Sequence, residues 1–424
     1  MPSERSESSL LERVEDRDAE QLAADLRVLV PAGESVAPVV ADIIDDVRRS
    51  GDRAVAHYTA LHDTGGVAVA ALRVTREELR EAASALHADV RAGLRQAIEN
   101  VGAVARASLR EQRTVAFAGH VVVLRDAPVQ RAAVYVPGGR APYPSTVVMG
   151  VVTAREAGVP EVVVCSPPGR SGDVDPVVLG ACELAGAGEV YRMGGAQAVA
   201  ALAHGTEMVP AVDVIVGPGN LYVQEAKRQL SGQVGIDSFA GPSDLLVIAD
   251  GDSDPEPIAL DMLAQGEHGP GTLVVCGCTS GTLLAELRGR LAAMPDTGAV
   301  QRLVEVPSSE YALALAQAFA PEHLELIGPR AEELADRITR AGCVFVGAAS
   351  ATAFGDYIAG SNHVLPTGGA ARFASALSTA HFRRSFTEVR ISDGTQLALA
   401  ATPIARAEGF ELHARSMEAR IGDH

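Results

Sequence analysis

Apolar residues are arranged along this chain in two ways, helical stripes and short continuous runs, and the change from one to the other divides it. Over residues 34–50, Val36, Val39, Val40, Ile43, Ile44 and Val47 fall at helical spacing and Gly51 closes the run. This pattern predicts an amphipathic helix. Residues 76–112 alternate charged and apolar faces in the same way and are expected to be helical. Beyond them the pattern shortens. Apolar runs at 161–165, 189–192 and 212–216 each end in a Gly- or Pro-containing turn and lead into Ala-rich helical stretches, and further runs occupy 245–249, 272–276 and 343–346. Buried strands that alternate with helices define an α/β chain with largely parallel sheets. Gly-rich strand ends cluster between Tyr135 and Ser243, whereas His and carboxylate motifs cluster between Gln265 and His363, which predicts two sheet domains. The C-terminal stretch reads as a separate helix with Thr402 as N-cap and Pro403 at the first helical position.

Composition narrows the class. The chain has 424 residues, 47% hydrophobic and 21% charged, enough for two or more packed cores. The first twenty residues are crowded with charge and carry no apolar core of a secretory signal. The apolar stretch 145–154 is too short to span a bilayer. Cys165, Cys182, Cys276, Cys278 and Cys343 form no disulfide framework in a chain of this length, so a reduced cytoplasm is expected. A net charge of −18 argues against nucleic-acid or anionic-membrane partners, because phosphate binding needs clustered Lys and Arg.

Several motifs could carry chemistry. In Gln265-Gly-Glu-His268, at the end of an apolar helical run, the two outer side chains lie three apart and can converge. With Asp356 and His413 they form a Cys-free N/O donor set that suits zinc or another divalent first-row metal. The ordinary alternative is a capping or surface role. Pro321-Glu322-His323-Leu324 places a carboxylate beside an imidazole, a pair suited to proton transfer; on sequence physics alone it reads more readily as a helix start with Pro in the first turn. Val216-Gly-Pro-Gly-Asn220-Leu-Tyr222 resembles a strand-to-helix dinucleotide turn, but Tyr222 stands where the third glycine of the usual fingerprint belongs. Gly194-Gly-Ala-Gln197 and Tyr135-Val-Pro-Gly-Gly139 are similar turns, able to approach a phosphate or simply to join buried elements. Cys276-Gly-Cys278 lacks the spacing of a zinc knuckle and reads as a strand end.

Together these stretches resemble the histidinol dehydrogenase family. The resemblance runs in order through Tyr135–Ser145, Gly194–Gln197, Val216–Asn220, Ala240-Gly-Pro-Ser243, Gln265–Pro270, Pro321–Leu324, Gly355-Asp-Tyr357 and Asn362–Thr367. Departures are small: Gly266 where the family often has Ala, and His381 where an acid is common. The resemblance implies two Rossmann-like domains with largely parallel sheets and small helical segments at both ends. The implied division is a helical segment 1–28, a discontinuous first domain of 29–134 and 245–384, a second domain of 135–244, and a helical arm of 385–424. It further implies that Gln265, His268, Asp356 and His413 ligate zinc, that His323 is the general base, and that Glu322 activates water. Ser145, Ser243, His363 and Glu408 would join the zinc ligands and His323 in contacting L-histidinol, and Tyr135, Gln197 and Asn220 would contact NAD. The implied assembly is a homodimer that exchanges its C-terminal arms.

Alternatives remain open at this level. A related dehydrogenase on the same scaffold could act on another alcohol, such as a sulfonated diol. A zinc hydrolase would use Glu322 without a nicotinamide. A non-catalytic binding protein would leave the Glu322/His323 pair unexplained.

Overall fold

Period-two alternation and period-3.6 stripes are both realised in the computed structural model, which describes residues 11–14, 17–30, 35–69, 71–138, 141–239 and 241–421. Its strands are β1 (Leu11–Arg13), β2 (Arg113–Phe117), β3 (His120–Pro128), β4 (Arg131–Tyr135), β5 (Glu161–Ser166), β6 (Glu189–Arg192), β7 (Val214–Val216), β8 (Gly235–Ile236), β9 (Asp244–Ala249), β10 (Leu273–Cys278), β11 (Val300–Glu305), β12 (His323–Ile327), β13 (Cys343–Val346) and β14 (Arg383–Ile391). The helices begin with α1 (Ala19–Val28), α2 (Ala37–Ser50), α3 (Asp52–His62), α4 (Arg76–Ala85), α5 (Ala88–Ala107), α6 (Pro144–Val147), α7 (Thr153–Glu156), α8 (Pro176–Ala185) and α9 (Gly195–His204). They continue with α10 (Leu221–Leu230), α11 (Pro255–Gly266), α12 (Gly281–Ala293), α13 (Ser309–Phe319), α14 (Pro329–Glu332), α15 (Thr352–Tyr357), α16 (Thr395–Ala407) and α17 (Glu411–Glu418). A π turn, Val148–Val152, joins α6 to α7 into one continuous helical rod.

Two sheets are wholly parallel. One has the order β6-β5-β4-β7-β8 and the other β1-β11-β10-β9-β12-β13. Each contains the doubly wound order 3-2-1-4-5, with β4 or β9 as its first strand. Alternation along the strands fills a core on each face. Ala132 and Val134 face one cluster and Ala133 and Tyr135 the opposite one, as Leu246 and Ile248 are separated from Leu245 and Val247. A third sheet, β14-β3-β2, is antiparallel and was not foreseen as a unit.

The structure redraws the expected domain grouping. Helices α2 and α3 pack on one face of the five-stranded sheet, and α4 and α5 on the other, so 35–107 group with that sheet rather than with 245–384. Strand β4 belongs to the same sheet and straddles the expected 134/135 boundary. In the expected N-terminal helical segment, Leu11–Arg13 is a strand on the edge of the six-stranded sheet and α1 packs on that sheet; residues 1–10 lie outside the described residues.

Local readings were also adjusted. The stripe in α2 buries Val40, Ile43, Ile44 and Val47, whereas Val39 is exposed. The expected helix over 76–112 is two helices, broken at Leu86, with α4 opened by a Thr75/Glu78 capping box. Pro403 lies inside α16, not at its start. The helix begins at Thr395, whose N–H is accepted by Asp393; Thr-Pro carries the signature of a helix start, but turns were already in place before it. The arm expected over 385–424 begins as β14, antiparallel to β3, before its helices. Among the described residues no helix is long and apolar enough to cross a membrane.

Candidate active site

The motif Pro321-Glu322-His323 begins a strand, not a helix. Helix α13 closes at Ala320, which takes a left-handed conformation (φ 48°), and Pro321 leads into β12. Main-chain bonds from Gly342 N to Pro321 O (2.9 Å) and from Cys343 N to Glu322 O (2.9 Å) fix the peptides on either side of Glu322. The two side chains therefore sit at the N-terminal end of β12, beside Ser243 and Asp244 at the start of β9.

Glu322 is buried and tightly held. Its Oε2 accepts from Ser243 Oγ and from the Asp244 N–H (3.0 Å), and its own N–H donates to Asp244 Oδ1 (2.8 Å). Asp244 is in turn fixed by Arg27 of α1, whose Nη1 donates to Oδ2 at 2.6 Å while the guanidinium lies 3.6 Å over the Phe319 ring. Burial pushes the Glu322 carboxyl up to about 7, against the opposing pull of His323. A carboxyl that titrates near neutrality is suited to proton transfer.

His323 is buried, with Nε2 3.5 Å from Asp356 Oδ1 and Nδ1 3.9 Å from Glu322 Oε2. Its Nδ1 makes no hydrogen bond among the described residues. Burial favours the neutral ring, but Glu322 and Asp356 outweigh it and hold the imidazole up to about 9. Asp356 stays below its ordinary value although burial opposes this, because His323, His363 and His268 surround it. Burial lowers both His268 and His363, which keeps them neutral. His363 Nδ1 lies 2.8 Å from the Asp356 carbonyl, the geometry of an N–H donor, and its Nε2 lies 3.2 Å from Thr146 Oγ1. Gln265 Nε2 donates to Ser243 Oγ at 2.7 Å, and its amide oxygen is an acceptor by chemistry.

These groups surround a cleft of about 370 Å³ lined by Ser145, Ser243, His268, Glu322, His323, Asp356 and His363. A second cleft of about 600 Å³ opens beside it, lined by Tyr135, Gln197, Asn220, Gly195 and Pro167, and both clefts touch Pro137. The second runs over the C-terminal ends of β4 to β7, the usual crevice of this strand order. The N-termini of α9 and α10 point into this region, and such termini favour anions. Asn220 caps α10, its Oδ1 accepting from the N–H groups of Tyr222 and Val223, both at 3.1 Å. Gly217 has φ 111°, and a Cβ there would collide with the Tyr135 carbonyl. Its loop is pinned by Asp237, which accepts from Gly217 N (2.7 Å) and from buried Lys227 (2.8 Å).

The expected residues Glu408 and His413 are not brought to either cleft. Glu408 closes α16, Gly409 turns the chain at φ 82°, and His413 lies on α17 against Phe410. The two therefore sit on separate helices, as a bend at Gly409 requires. Among the described residues no group of three or more His, Cys, Asp or Glu is arranged to hold a metal. Cys276 and Cys278 lie buried in β10, where burial raises their thiols, in keeping with a strand.

Sequence reasoning missed Arg27, Asp244 and Thr146. Asp244 left one signal, a charged residue heading the apolar run 245–249. Arg27 left none, because its partner is 217 residues away.

Fold and cleft together define an α/β protein in which a buried Glu–His pair lines a cleft beside a glycine-lined crevice over parallel strand ends. Comparison with known proteins makes this specific. Residues 31–421 match the histidinol dehydrogenase family model. The chain is 42% identical to a histidinol dehydrogenase of Parasynechococcus marenigrum, covering 96% of this chain and 97% of that one. It is 41% identical to one from Natronomonas pharaonis, covering 90% and 93%. The crystal structure of histidinol dehydrogenase from Elizabethkingia anophelis superposes with a TM-score of 0.91 at 29% identity, covering 97% of this chain and 98% of that one. The chain belongs to the histidinol dehydrogenase family and is an oxidoreductase. Nothing in these relatives supports the sulfonated-diol alternative.

Proposed function

We propose that the chain oxidises L-histidinol through histidinal to L-histidine, the last steps of histidine biosynthesis, with NAD as hydride acceptor and zinc at the substrate end. The observation that carries this reading is the junction of two clefts at Pro137, one floored by Glu322 and His323, the other a glycine-lined crevice over parallel strand ends.

The residues fit a metal in their chemistry. Asp356 is kept ionised and His268 neutral, the states that ligation requires, and Ser243 holds the amide nitrogen of Gln265. His413 of a second copy is the fourth ligand in this reading. Its helices support that role: Leu399, Ile404, Phe410 and Leu412 of the C-terminal arm are exposed, an apolar face suited to a homodimer with exchanged arms. A zinc ion held there supplies a positive centre that fixes the substrate's nitrogen atoms.

Each oxidation removes one hydride to the nicotinamide and one proton. His323 in its neutral form takes the proton from the alcohol in the first oxidation and, after releasing that proton to solvent, takes another from the hydrated aldehyde in the second. Between them Glu322 removes a proton from the water that adds to the aldehyde carbon, and this water supplies the second carboxylate oxygen. Ser243 and Asp244 N orient Glu322 for this step. Ser145, Ser243, His363 and the second copy's Glu408 position the substrate, while Tyr135, Gln197 and Asn220 hold NAD. A cytoplasmic location accords with buried free thiols.

The test is the purified chain with histidinol and NAD. Two NADH per histidinol, with histidine as product, is expected. Activity should vanish on chelation and return with zinc. One NADH per histidinol with aldehyde accumulating would overturn the second half of the scheme, and full activity in a metal-free preparation would overturn the zinc.

A further inference from the structure

We infer that Asp63 binds the ribose diol at the adenosine end of the cofactor and makes the crevice select a dinucleotide without a 2′-phosphate. This rests on the NAD reading above. The reacting end of the dinucleotide must reach the cleft of His323, which adjoins the crevice at Pro137, after β4. The adenosine end then lies over the loops after β5 and β6, where Pro167, Gly169, Gly195 and Gln197 line the crevice. Asp63 lines this same part, and Gln197 Nε2 donates to its Oδ2 at 3.4 Å.

In the standard dinucleotide fold the ribose-reading acid follows the second strand. Here that strand, β5, runs into Pro167-Pro168-Gly169-Arg170, and the next acid, Asp173, is engaged by Arg192 Nε at 3.2 Å. An acid from another element has to take the part, and Asp63 at the end of α3 is placed to do so.

Within the fold this carboxylate gains little beyond the long hydrogen bond from Gln197. Asp63 is the C-cap of α3, the negative end of the helix dipole, where an acid is unfavourable. No ion pair reaches it among the described residues, and burial alone lifts its carboxyl to about 6. Two hydroxyl donors from a ribose would satisfy it, whereas a 2′-phosphate would be repelled. Arg170 lines the same crevice and would favour a 2′-phosphate, so the two residues make opposite predictions.

The experiment compares the full-length wild type with Asp63→Asn, titrating NAD and NADP calorimetrically and measuring thermal stability. Wild type should bind NAD and discriminate against NADP. In Asp63→Asn the Kd for NAD should rise about tenfold, the worth of a hydrogen bond to a charged group, and the preference over NADP should shrink. The steady-state effect should fall on KM for NAD rather than on kcat. Wild-type affinity should weaken as pH falls through about 6, where the carboxyl takes up a proton, and the variant should lack this step. Its melting temperature should hold or rise, because an unfavourable charge has gone. An unchanged Kd, a wild type that binds NADP as well as NAD, or weaker binding accompanied by lost stability would each overturn the inference. Wild type that binds no NAD would overturn the parent reading itself, an outcome distinct from normal wild-type binding with an indifferent variant.

Discussion

The two parallel sheets share a strand order, yet the chain uses opposite ends of them. In the five-stranded sheet the crevice lies over the C-terminal ends of β4 to β7, where glycines and helix N-termini present backbone N–H groups. In the six-stranded sheet the side chains proposed to react stand at the N-terminal ends of β9 and β12. The C-terminal crevice of that second sheet, a cleft of about 560 Å³, is lined by the protein's own carboxylates Asp250, Asp252 and Asp254. Asp250 accepts from Arg330 N (2.8 Å) and Asp254 caps α11 through Glu256 N (2.9 Å), in the positions phosphates occupy elsewhere. The strand order offers a crevice at each sheet, and the side chains that line it decide whether it favours an anion.

This contrast predicts that damage at the two ends separates into different kinetic constants. The largest effect belongs to the six-stranded sheet. His323→Ala should lower kcat about a thousandfold with either histidinol or histidinal supplied, the scale of a lost general base. Glu322→Gln should mainly slow the histidinal half-reaction; slowing confined to the alcohol half would reverse the assigned roles.

The N-terminal edge of the six-stranded sheet also lacks His413 and Glu408 within one chain, which sharpens the comparison further. Co-refolding inactive His413→Ala with inactive His323→Ala should return roughly a quarter of wild-type activity, because half the dimers are mixed and one of their two sites is intact. A mixture as inactive as its parts would place the arm in cis.

At the crevice of the five-stranded sheet, Gly195 has φ 63° and an added Cβ would lie 2.6 Å from Gln197 Oε1. Gly195→Ala should displace Gln197 and raise KM for NAD about tenfold, the scale of one lost hydrogen bond, with kcat less affected. A kcat defect without a KM change would break the division between the two ends.

The smallest effect is on stability. Glu325 lies in β12 two residues beyond His323, its carboxyl bonded to Thr352 N (3.0 Å) and facing that of Asp261. Burial and Asp261 raise Glu325 to about 8, so the folded state keeps a proton that the unfolded state releases. Stability from this group is present in acid and is lost as pH rises from the ordinary carboxylate range toward about 8. Glu325→Gln supplies an amide donor to Asp261 without a proton. It should stabilise the protein by about 1 kcal/mol near the upper end of that range and by almost nothing in mild acid; an equal gain at both would remove the titration as its cause.

Strands such as β5 and β6 were legible because fully buried strands leave continuous apolar runs between glycine and proline turns. The antiparallel sheet was not, because Val115, Phe117, Phe386 and Val389 stay exposed and β14 reads as a polar arm. In the site, Glu322 and His323 were identifiable as residues but not as a strand start. Pro-Glu suits a helix terminus, and only pairing with β9 and β13 decides otherwise. The Arg27–Asp244 pair, which holds Glu322 in place, is made by tertiary contact alone.

The π turn at Val148–Val152 gives chain length a role of its own. A π turn accommodates one residue more than the regular helix would. Upstream of it Ser145 and Thr146 line the cleft of Glu322 and His323, and within it Gly150 packs so closely on Val134 that a side chain would collide. Deleting a single residue here would let the rod close into an uninterrupted α-helix and swing Ser145 and Thr146 by roughly 100°. A shortened chain with every named side chain intact would then present the wrong face to the substrate, so a gap at this position is a more severe lesion than most substitutions beside it.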